Sequence, residues 1–356
     1  MYRITVFPGD GIGPEVTDQV IKLIRKIGQA HHLVFEIQQS LLGGASIDKH
    51  GVPMTPEALR LALESDAVFL GAVGGPKWDR VEPAKRPEKA LLELRKSLEV
   101  FANIRPVLLM PELVSRSPLK AEIVEGCDFV ILRELTGGIY FGTPRGTEGS
   151  GPSERAFNTM VYTAAEVERI VRKAFELARR RRRHVTSVDK ANVLEVSRLW
   201  RKTATAVHAE FPDVTLDHRY IDDCAMQVIK NPGQFDVIVT GNLFGDILSD
   251  ECAMLTGSIG MLPSASVGGK YALYEPVHGS APDIAGKNMA NPLASILSIA
   301  MMMETSFELH EIAREIEQAV RDVLRAGHRT ADIAEPGQRC VSCSEIGDLV
   351  CGRIGK

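Results

Sequence analysis

The sequence predicts an α/β protein in which strands of a largely parallel sheet alternate with helices. Two patterns support this fold class. Short buried-strand patterns at residues 2–7, 66–70 and 236–240 each lead into a loop that contains glycine, and helix patterns follow. Strand, glycine loop and helix in succession is typical of a parallel sheet with crossover helices. The length of 356 residues is enough for two domains of ordinary size.

The first strand, at residues 2–7, is followed by the loop GDGIG and by a helix that begins at Pro14. The apolar face of this helix is formed by Val16, Val20, Leu23, Ile24 and Ile27. The glycine spacing does not match a dinucleotide-binding fingerprint, which needs two residues before its third glycine. Pro14 also removes a backbone amide that could bind phosphate. We therefore interpret the loop as a tight turn that lines a cleft, and not as a standard Rossmann site.

The middle of the chain carries further strand and helix patterns. Residues 129–134 and 138–142 predict strands, and residues 164–180 predict an amphipathic helix. The buried strand at 236–240 leads through Gly241 into another helix. Helices and glycine loops return in the last hundred residues, so the α/β pattern extends over the whole chain.

No segment predicts a membrane anchor or a leader. The longest apolar stretch, residues 289–303, is too short to span a bilayer. Pro292 near its start predicts a buried helix that begins at the proline. The N-terminal residues MYRITVFPGDG have a charge at Arg3 and an early turn, which indicates a first strand rather than a signal peptide. We therefore expect a cytoplasmic protein.

Composition restricts the classes of function. Hydrophobic residues make up 44% of the chain and charged residues 25%, which are values for a globular protein with a core. The formal net charge of −4 provides no global field that would attract nucleic acid or an anionic membrane. Six scattered cysteines suit a reducing compartment. Cys340 and Cys343 have the spacing of a metal or redox pair, but nothing nearby completes a zinc site. Reduced thiols are expected, with a surface disulfide as the alternative.

Residues 179–183 are five consecutive arginines. Cations complement the dipole at the end of a helix, so a solvated helix end is the favoured interpretation. Binding of nucleic acid is the alternative, although no aromatic residues are interleaved to stack on bases.

Three acids are candidate ligands of a divalent cation. Asp246 and Asp250 are four residues apart on a predicted helix and therefore share a face. With Asp222 from another segment, they would form a site for Mg²⁺ or Mn²⁺. Acids on a helix surface are the alternative. Because the residues around Asp246 and Asp250 are apolar or small, we expect both acids on a mostly buried helix, where they need partners.

Arg95, Arg105 and Arg133 each stand beside strand-like or buried sequence. Arginine binds carboxylate through two parallel hydrogen bonds, so three converging arginines would suit a dicarboxylate. Separate salt bridges are the alternative. Lys190 could act as a base near a cation, and Tyr140 could donate a proton, although either residue taken alone fits a structural role.

Four long segments together resemble the β-decarboxylating dehydrogenases, a family whose members act on isocitrate, isopropylmalate, homoisocitrate and tartrate or malate. The segments are RELTGGIYFGTPRG (133–146), SVDKANVL (187–194), GNLFGDILSDE (241–251) and YEPVHGSAPDIAGKNMANP (274–292). The segments GGPKW and KALLELRKSLEVFANIRP, within residues 74–106, are most similar to the isopropylmalate branch. The resemblance covers nearly the whole chain.

The resemblance implies two α/β domains around a shared parallel or mixed sheet, an isopropylmalate-dehydrogenase-like fold without a Rossmann site. The first, cofactor-binding domain would comprise residues 1–100 and 254–356, and the second residues 101–253. It also implies a homodimer, with an arm at about residues 140–160. Lys190 and Asp222 would then serve the active site of the partner.

The resemblance further implies a role for each candidate residue. Arg95, Arg105 and Arg133 match carboxylate clamps, and Asp222, Asp246 and Asp250 match metal ligands, with Asp222 also at the substrate. Lys190 matches the base and Tyr140 the acid that protonates the enol. The implied cofactor contacts are Gly74, Gly75, Glu88, Glu275, His278, Gly279, Ser280, Ala281, Pro282, Asp283, Ile284, Asn291 and Asp332.

The resemblance also implies NAD as the cofactor. A carboxylate at Asp283 can accept hydrogen bonds from both adenosine ribose hydroxyls and would repel a 2′-phosphate. Leu91, Leu92 and Val193 match the positions around the side group of the substrate, and apolar residues there suit an isopropyl group. The implied reaction is NAD-dependent oxidative decarboxylation of 3-isopropylmalate in leucine biosynthesis. The alternatives are a sister enzyme for tartrate, malate or homoisocitrate, and an inactive regulatory subunit.

Overall fold

The computed structural model describes residues 1–82 and 85–356. The chain folds into two compact units. Unit 1 comprises Met1–Val100, Met110–Pro118 and Thr256–Lys356, and unit 2 comprises Phe101–Leu109 and Leu119–Leu255. The short segment 110–118 belongs to unit 1, where Arg329 Nη2 donates a hydrogen bond of 2.8 Å to the carbonyl of Glu112.

Strands occur in both units. In chain order they are β1 (Tyr2–Gly9), β2 (Phe35–Gln39), β3 (Ala67–Ala72), β4 (Ala102–Leu108), β5 (Asp128–Glu134), β6 (Gly146–Glu148), β7 (Arg155–Phe157), β8 (His184–Asp189), β9 (Thr215–Tyr220), β10 (Val237–Thr240), β11 (Pro263–Val267) and β12 (Ala272–Pro276).

The strands of unit 1 pair in the order β2-β1-β3-β12-β11, with β11 antiparallel to β12 and the other pairs parallel. In unit 2 the order is β4-β5-β10-β8-β9, with β4 antiparallel to β5 and the other pairs parallel. β3 and β10 are buried along their whole length, as strands of a sheet covered on both faces must be. The predicted α/β class with a mixed sheet is confirmed.

The helices are α1 (Gly13–His31), α2 (Gly44–His50), α3 (Pro56–Glu64), α4 (Pro87–Ser97), α5 (Ala121–Val124), α6 (Ala164–Arg179), α7 (Glu195–His208), α8 (Ile221–Lys230), α9 (Asn242–Ala253), α10 (Leu293–Thr305), α11 (His310–Arg325) and α12 (Cys343–Cys351). α1 carries Pro14 in its first turn and buries the apolar face predicted for it. α6 begins with a capping box between Thr163 and Glu166. α10 follows Pro292 and is almost entirely buried. Among the described residues, no helix combines the length and the apolar character needed to cross a membrane.

The prediction of a strand at 138–142 is wrong. Gly138–Tyr140 form a short 3₁₀ helix instead. Gly138 has a φ of +75°, which a strand does not allow, and the ring of Tyr162 fills the space that a side chain on Gly137 or Gly138 would need. Further along the chain, β6 and β7 form a small, largely exposed antiparallel hairpin.

The five arginines do end a helix, because α6 stops at Arg179. They are not simply solvated, however. Arg181 donates to Asp128 and Asp236 at 2.8 Å each, beside the starts of β5 and β10. The side chain of Asp236 is only 1% exposed, so its charge needs this partner. The expectation of a solvated helix end is therefore wrong for Arg181.

The six cysteines are free thiols. Cys340 is exposed, and Cys343 is buried at the start of α12. Burial raises the pKa of Cys343 to about 12, so this thiol is protonated at neutral pH.

Candidate active site

Five of the predicted residues lie together in unit 2 and are called the unit 2 cluster: Arg105, Arg133, Tyr140, Asp246 and Asp250. Arg133 Nη1 contacts Asp246 Oδ1 at short range, and the Tyr140 hydroxyl donates to Asp246 Oδ2 at 2.8 Å. Arg105 Nη1 donates to Asp250 Oδ1 at 3.2 Å, and Arg105 Nη2 lies 4.0 Å from Asp246 Oδ1. Two guanidinium groups therefore face two carboxylates.

Secondary structure explains this proximity. Arg105 lies on β4 and Arg133 near the end of β5, and these strands are antiparallel neighbours. Asp246 and Asp250 are four residues apart on α9, which places both carboxylates on one face of the helix. Gly245 lets α9 approach β5 closely, because an added Cβ would lie 2.8 Å from Cβ and Cγ of Arg133.

The two acids are less buried than expected. The side chain of Asp246 is 34% exposed and that of Asp250 is 58% exposed, whereas those of Arg105 and Arg133 are 8% and 5% exposed. The expectation of a mostly buried helix is wrong for this face of α9. The apolar residue Ile247 is exposed as well, so α9 is buried on one side only.

Electrostatics in the unit 2 cluster favour a protonated tyrosine. Burial, the hydrogen bond to Asp246 and its charge raise the pKa of Tyr140 to about 12. Desolvation, together with the neighbouring charge of Asp246, raises the pKa of Asp250, while Arg105 lowers it. Tyr140 therefore keeps its proton at neutral pH, as a proton donor must.

Lys190 and Asp222 form a second group in unit 2. Lys190 follows β8, Asp222 lies in the first turn of α8, and the two side chains make a close ion pair. The hydrogen bond from Lys190 lowers the pKa of Asp222. Within residues 1–82 and 85–356, no three His, Cys, Asp or Glu side chains are grouped so that they could hold a metal ion. In the described chain, Asp222 is paired with Lys190, whereas Asp246 and Asp250 are paired with Arg133 and Arg105.

Arg95 lies in unit 1, on α4. It is buried, and its Nη2 donates to Glu275 Oε1 on β12 at 2.7 Å. In the described part of the chain, the Nε–H of Arg95 has no hydrogen-bond partner. A buried donor without a partner costs free energy, which a bound acceptor would recover. This arginine is therefore equipped to bind an anionic group.

The loop that matches the adenosine-binding segment follows β12. His278 is 8% exposed, and its Nδ1 lies 2.9 Å from the carbonyl of Gly279. Its Nε2 is buried without a hydrogen-bond partner among the described residues. Burial lowers the pKa of His278, which keeps the ring neutral. The buried Nε2 is thus available to a neutral heterocycle.

Two more residues of the predicted cofactor site contact each other. Asn291 Nδ2 donates to Asp332 Oδ2 at 3.0 Å. The same carboxylate accepts from Ser258 Oγ at 2.5 Å and from Thr330 Oγ1 at 2.6 Å. Asp283 is exposed. Among the neighbouring residues, the carbonyl of Ser280 accepts a hydrogen bond of 2.8 Å from the amide of Ile12, and Ala281 and Ile284 pack against the buried apolar cluster that contains Ile12. Gly279 and Pro282 stay predictions from their match to the family.

The glycine loops of unit 1 are organised by a residue that sequence reasoning missed. Asp10, which is 3% exposed, accepts hydrogen bonds from the amides of Gly44 (2.8 Å), Ala45 (2.7 Å) and Gly74 (2.8 Å). An added Cβ on Gly74 would lie 2.5 Å from Glu88 Oε1. An acid flanked by the glycines of GDG was the available signal. It was interpreted only as part of a turn.

The predicted side-group residues differ in environment. Leu91 and Leu92 are half-buried on α4, and Leu91 packs against the core of unit 1. Val193 is 62% exposed beside Lys190. An apolar residue exposed to this degree is free to contact a ligand or a partner.

Comparison with known proteins decides the family. A model of the isocitrate/isopropylmalate dehydrogenase family matches residues 3–350. The chain belongs to this family. The 3-isopropylmalate dehydrogenase of Moorella thermoacetica is 57% identical over 351 residues, 98% of each chain. That of Geobacillus kaustophilus is 58% identical over 346 residues, 97% of this chain and 93% of the relative.

Solved structures agree. Isocitrate dehydrogenase from Methylococcus capsulatus superposes with a TM-score of 0.89 at 34% identity, covering 100% of both chains. A β-decarboxylating dehydrogenase from Thermococcus kodakarensis gives 0.79 at 34% identity, covering 99% of this chain and 96% of that one. The predicted family, fold and enzyme class, a decarboxylating dehydrogenase, are therefore confirmed.

Membership of this family directs attention to polar neighbours of the arginines that sequence reasoning missed. Asn242 Oδ1 accepts from Arg133 Nε at 3.0 Å, and Asn103 Oδ1 accepts from Arg105 Nε at 2.6 Å. Ser249 Oγ accepts from Arg105 Nη1 at 2.5 Å. Asn103 and Arg105 are two apart on a strand and share a face, which was a usable signal. Asn242 lies inside a family segment, but only the charged Asp246 and Asp250 of that segment indicate a metal site.

The residues present fit the groups that the family implies. Asp246 and Asp250 offer carboxylate oxygens, which hard divalent cations prefer. The unpaired Nε2 of His278 and the exposed Asp283 offer hydrogen-bonding groups for an adenosine.

Proposed function

We propose that this chain catalyses the oxidative decarboxylation of (2R,3S)-3-isopropylmalate to 4-methyl-2-oxopentanoate and CO₂ with reduction of NAD, in leucine biosynthesis. The observation that supports this most is the unit 2 cluster, in which two buried arginines, a protonated tyrosine and two carboxylates meet. The names of relatives at 57% and 58% identity point to the same substrate.

Arg95, Arg105 and Arg133 bind the carboxylates of the substrate. Each guanidinium is buried, so its bonds to a carboxylate are less screened than on an exposed surface. Arg95 Nε has no protein partner in the described residues, so no hydrogen bond within the protein has to break before it donates to the substrate. Charge-assisted bidentate pairs fix orientation as well as affinity.

Asp246 and Asp250, together with Asp222 of the partner subunit, would hold Mg²⁺ or Mn²⁺. When bound, a divalent cation supplies Lewis-acid stabilisation of negative charge on the substrate oxygens. Arg105 and Arg133 balance the charges of the two acids in this chain.

Lys190 and Tyr140 move the protons. Lys190 of the partner subunit would take the proton of the substrate hydroxyl, and NAD, when bound, would supply the hydride acceptor. As CO₂ leaves the resulting β-keto acid, the protonated Lys190 returns its proton to the oxygen and an enol forms; Lys190 takes this proton back when the enol carbon is protonated. Tyr140, whose pKa is raised to about 12, then gives a proton to the enol carbon.

NAD binds through the loop of His278 and Asp283, with contacts from Asn291 and Asp332. The exposed carboxylate of Asp283 accepts hydrogen bonds from both ribose hydroxyls and repels a 2′-phosphate. Gly74, Gly75 and Glu88 would contact the nicotinamide end of the cofactor, and Glu275 holds Arg95 through a hydrogen bond.

Leu91, Leu92 and Val193 surround the isopropyl group. None offers a partner for the additional carboxylate of isocitrate, and leaving a charge unpaired there is costly. Discrimination among alkyl groups is weaker, about 1–3 kcal/mol per methylene. Related alkylmalates should therefore react.

The active unit is a homodimer with active sites shared between subunits. A single chain holds Lys190 and Asp222 in one group and Asp246 and Asp250 in another. Exposed apolar residues lie on or directly after α8 and α9, namely Met226 (63%), Ile247 (62%) and Met254 (51%). Such a surface favours burial against a second copy.

The test is NADH formation by the purified protein with Mg²⁺ or Mn²⁺, and 3-isopropylmalate, D-malate, tartrate, homoisocitrate and isocitrate side by side. The proposal predicts the highest kcat/KM with 3-isopropylmalate, and loss of activity on addition of EDTA that excess Mg²⁺ restores. Higher kcat/KM with any other substrate would overturn the substrate assignment. Full activity in EDTA would overturn the metal assignment.

A further inference from the structure

A buried carboxylate organises the loop in front of Tyr140. Glu134 ends β5 and is fully buried. It accepts hydrogen bonds from the amides of Thr136 (3.0 Å) and Gly137 (2.7 Å) and from the Thr136 hydroxyl (2.6 Å). Arg169 Nη2 lies 3.3 Å from Oε1 and supplies the balancing charge. Glu134 is therefore a fixed anchor for the chain between β5 and Tyr140.

Tyr162 links this anchor to α9. Its hydroxyl accepts a hydrogen bond of 2.7 Å from the amide of Asn242, and the Tyr162 ring and the carboxylate of Glu134 both flank Gly137. Burial and the charge of Glu134 raise the pKa of Tyr162 well above its ordinary value. The phenol therefore stays protonated at neutral pH, and its oxygen accepts from the amide of Asn242.

The ring of Tyr162 also shapes the surrounding backbone. An added Cβ would lie 2.6 Å from the ring at Gly137, 2.7 Å from the hydroxyl at Gly138 and 3.3 Å from the ring at Gly241. Glycine is thus required at positions 137 and 138, and a side chain at position 241 would be tightly packed against the ring. The turn that carries Tyr140 and the start of α9 both pack against the same side chain.

Asn242 connects the Tyr162 hydroxyl to Arg133, the proposed clamp for a substrate carboxylate. Its side chain is buried at 2% exposure, with Oδ1 accepting from Arg133 Nε (3.0 Å) and Nδ2 donating to the carbonyl of Gly137 (3.2 Å). One amide group therefore fixes both the guanidinium plane of Arg133 and the turn before Tyr140.

We propose that Tyr162 and Asn242 are positioning residues for the reaction, and that with Glu134 they form one hydrogen-bonded and packed group, the Tyr162 network. This network holds the carboxylate clamp Arg133 and the proton donor Tyr140 in fixed positions relative to each other. The inference rests on the proposed function, because it assigns the network a role in presenting these two groups to the substrate. Neither residue contacts the reacting atoms.

The first test is Tyr162→Phe, which keeps the ring and removes only the hydroxyl. We expect kcat to fall about tenfold to a hundredfold, since small displacements of reacting groups cost this much. The KM for 3-isopropylmalate should rise because Arg133 loses its fixed orientation. The KM for NAD should stay at the wild-type value, because the proposed NAD contacts lie in unit 1. A variant that is merely less stable would not separate the two KM values.

The matched control is Ser187→Ala. Ser187 Oγ is a buried hydroxyl that accepts from Trp200 Nε1 at 3.2 Å, and the Trp200 ring packs edge-on against Tyr162 at 5.5 Å between centroids. The control therefore removes one buried hydroxyl beside Trp200, the neighbour of Tyr162, and leaves every hydrogen bond of the Tyr162 network in place. We expect wild-type kcat and KM values from it, with a similar loss of Tm.

A second variant, Asn242→Ala, tests the link to Arg133 and carries the test should Tyr162→Phe not fold. It should give the same separation of KM values. The double variant should lose no more activity than the worse single variant, because both act through one unit.

The outcomes separate this inference from the proposed function. A wild-type protein that does not oxidise 3-isopropylmalate refutes the proposed function. An active wild type, with unchanged kcat and KM in Tyr162→Phe and Asn242→Ala, overturns only the positioning role. Equal losses in Tyr162→Phe and Ser187→Ala would overturn it too.

Discussion

The two units hold their candidate functional groups in different ways. In unit 1, Asp10 is held by three backbone amides, and Asp332 by the neutral side chains of Asn291, Ser258 and Thr330. In unit 2, Asp246 and Asp222 instead face cationic side chains.

This difference indicates which side chains can exchange their partners for a ligand. Neutral hydrogen bonds leave Asp10 and Asp332 of unit 1 with fixed geometry, which suits recognition of a cofactor that is bound and released unchanged in its adenosine part. The ion pairs of unit 2 join the groups that bind substrate and metal, and a ligand can exchange with either member of such a pair. Substitutions of the ion-paired groups of unit 2 should therefore affect turnover, and those in the loop of His278 and Asp283 in unit 1 should affect cofactor choice.

The largest effect is expected for Lys190→Met. Loss of a general base typically reduces turnover about 10²- to 10⁴-fold. The fold should survive because the side chain of Asp222, the ion-pair partner, is 62% exposed and can be solvated. Steady-state kinetics and a thermal melt measure both. Lys173→Met, which removes an exposed lysine paired with Glu176, is the control and should retain wild-type turnover. Wild-type turnover in Lys190→Met would refute the assignment of the base.

Tyr140→Phe should lower turnover about 10²-fold, because it removes the proton donor to the enol. The loss of the hydroxyl also leaves Asp246 with one hydrogen bond fewer. The check is a time course that follows NADH and CO₂ separately. We expect CO₂ to lag behind NADH if keto acid escapes before decarboxylation. Tyr271→Phe, which alters a partly exposed ring beside Lys270, is the matched control. Equal kinetics in the two variants would contradict the role of Tyr140.

A smaller effect is expected in unit 1 for Asp283→Ala. The kcat/KM with NAD should fall about tenfold, which is about 1.4 kcal/mol and just below the range of about 1.5–3 kcal/mol for hydrogen bonds to a charged group, because Asp283 is exposed to water. The kcat/KM with NADP should rise because the repelling charge is gone. Glu311→Ala on α11, which removes a 90%-exposed carboxylate, serves as the control and should leave both values unchanged. An unchanged NADP-to-NAD ratio in Asp283→Ala would show that Asp283 does not select the cofactor.

The smallest effect concerns one histidine from each unit. In unit 2, the hydrogen bond from His184 to Asp217 is the largest cause that raises the pKa of His184. In unit 1, burial lowers the pKa of His278. Stability from His184 should be present below about pH 6.5 and lost as pH rises through its raised pKa. Stability linked to His278 should be present above about pH 6.5 and lost as pH falls through its lowered pKa.

Histidine NMR titrations of the wild type, assigned with His184→Asn and His278→Asn, measure whether the pKa of each histidine is raised or lowered. For His184 the change in stability should be on the order of 1 kcal/mol or less, because the pair is partly exposed. A pKa of His278 above that of His184 would contradict the contrast between the two units.

The sequence predicted the strands and helices that are determined by residues within the element itself. β3 and β10 are continuous apolar runs, and α1 follows a proline that favours a first helical turn, so composition and sterics decide them. The turn at Gly138 could not be predicted in this way. Its conformation depends on the ring of Tyr162, 24 residues further along the chain, and the apolar letters of GIYFG suit a strand equally well.

The exposed face of α9 escaped prediction for a different reason. Ile247 is as apolar as a core residue, yet it is 62% exposed in the single chain. A sequence does not distinguish an apolar residue of the chain core from one destined for a subunit interface. The arginines and acids themselves were found, because the family segments name them. Their neutral neighbours Asn103, Ser249 and Asn242 were missed, because an uncharged side chain carries little signal of its own.

The central claim is that Lys190 and Asp222 of one subunit act with Asp246 and Asp250 of another. The most direct measurement mixes two inactive variants, Lys190→Met and Asp246→Asn, under conditions that allow subunits to exchange. In each mixed dimer one site is intact and the other carries both changes. Random exchange should therefore restore about a quarter of the wild-type activity, as two-fold symmetry requires. A mixture that stays inactive although mass spectrometry shows mixed dimers would contradict the account, because each active site would then come from one chain.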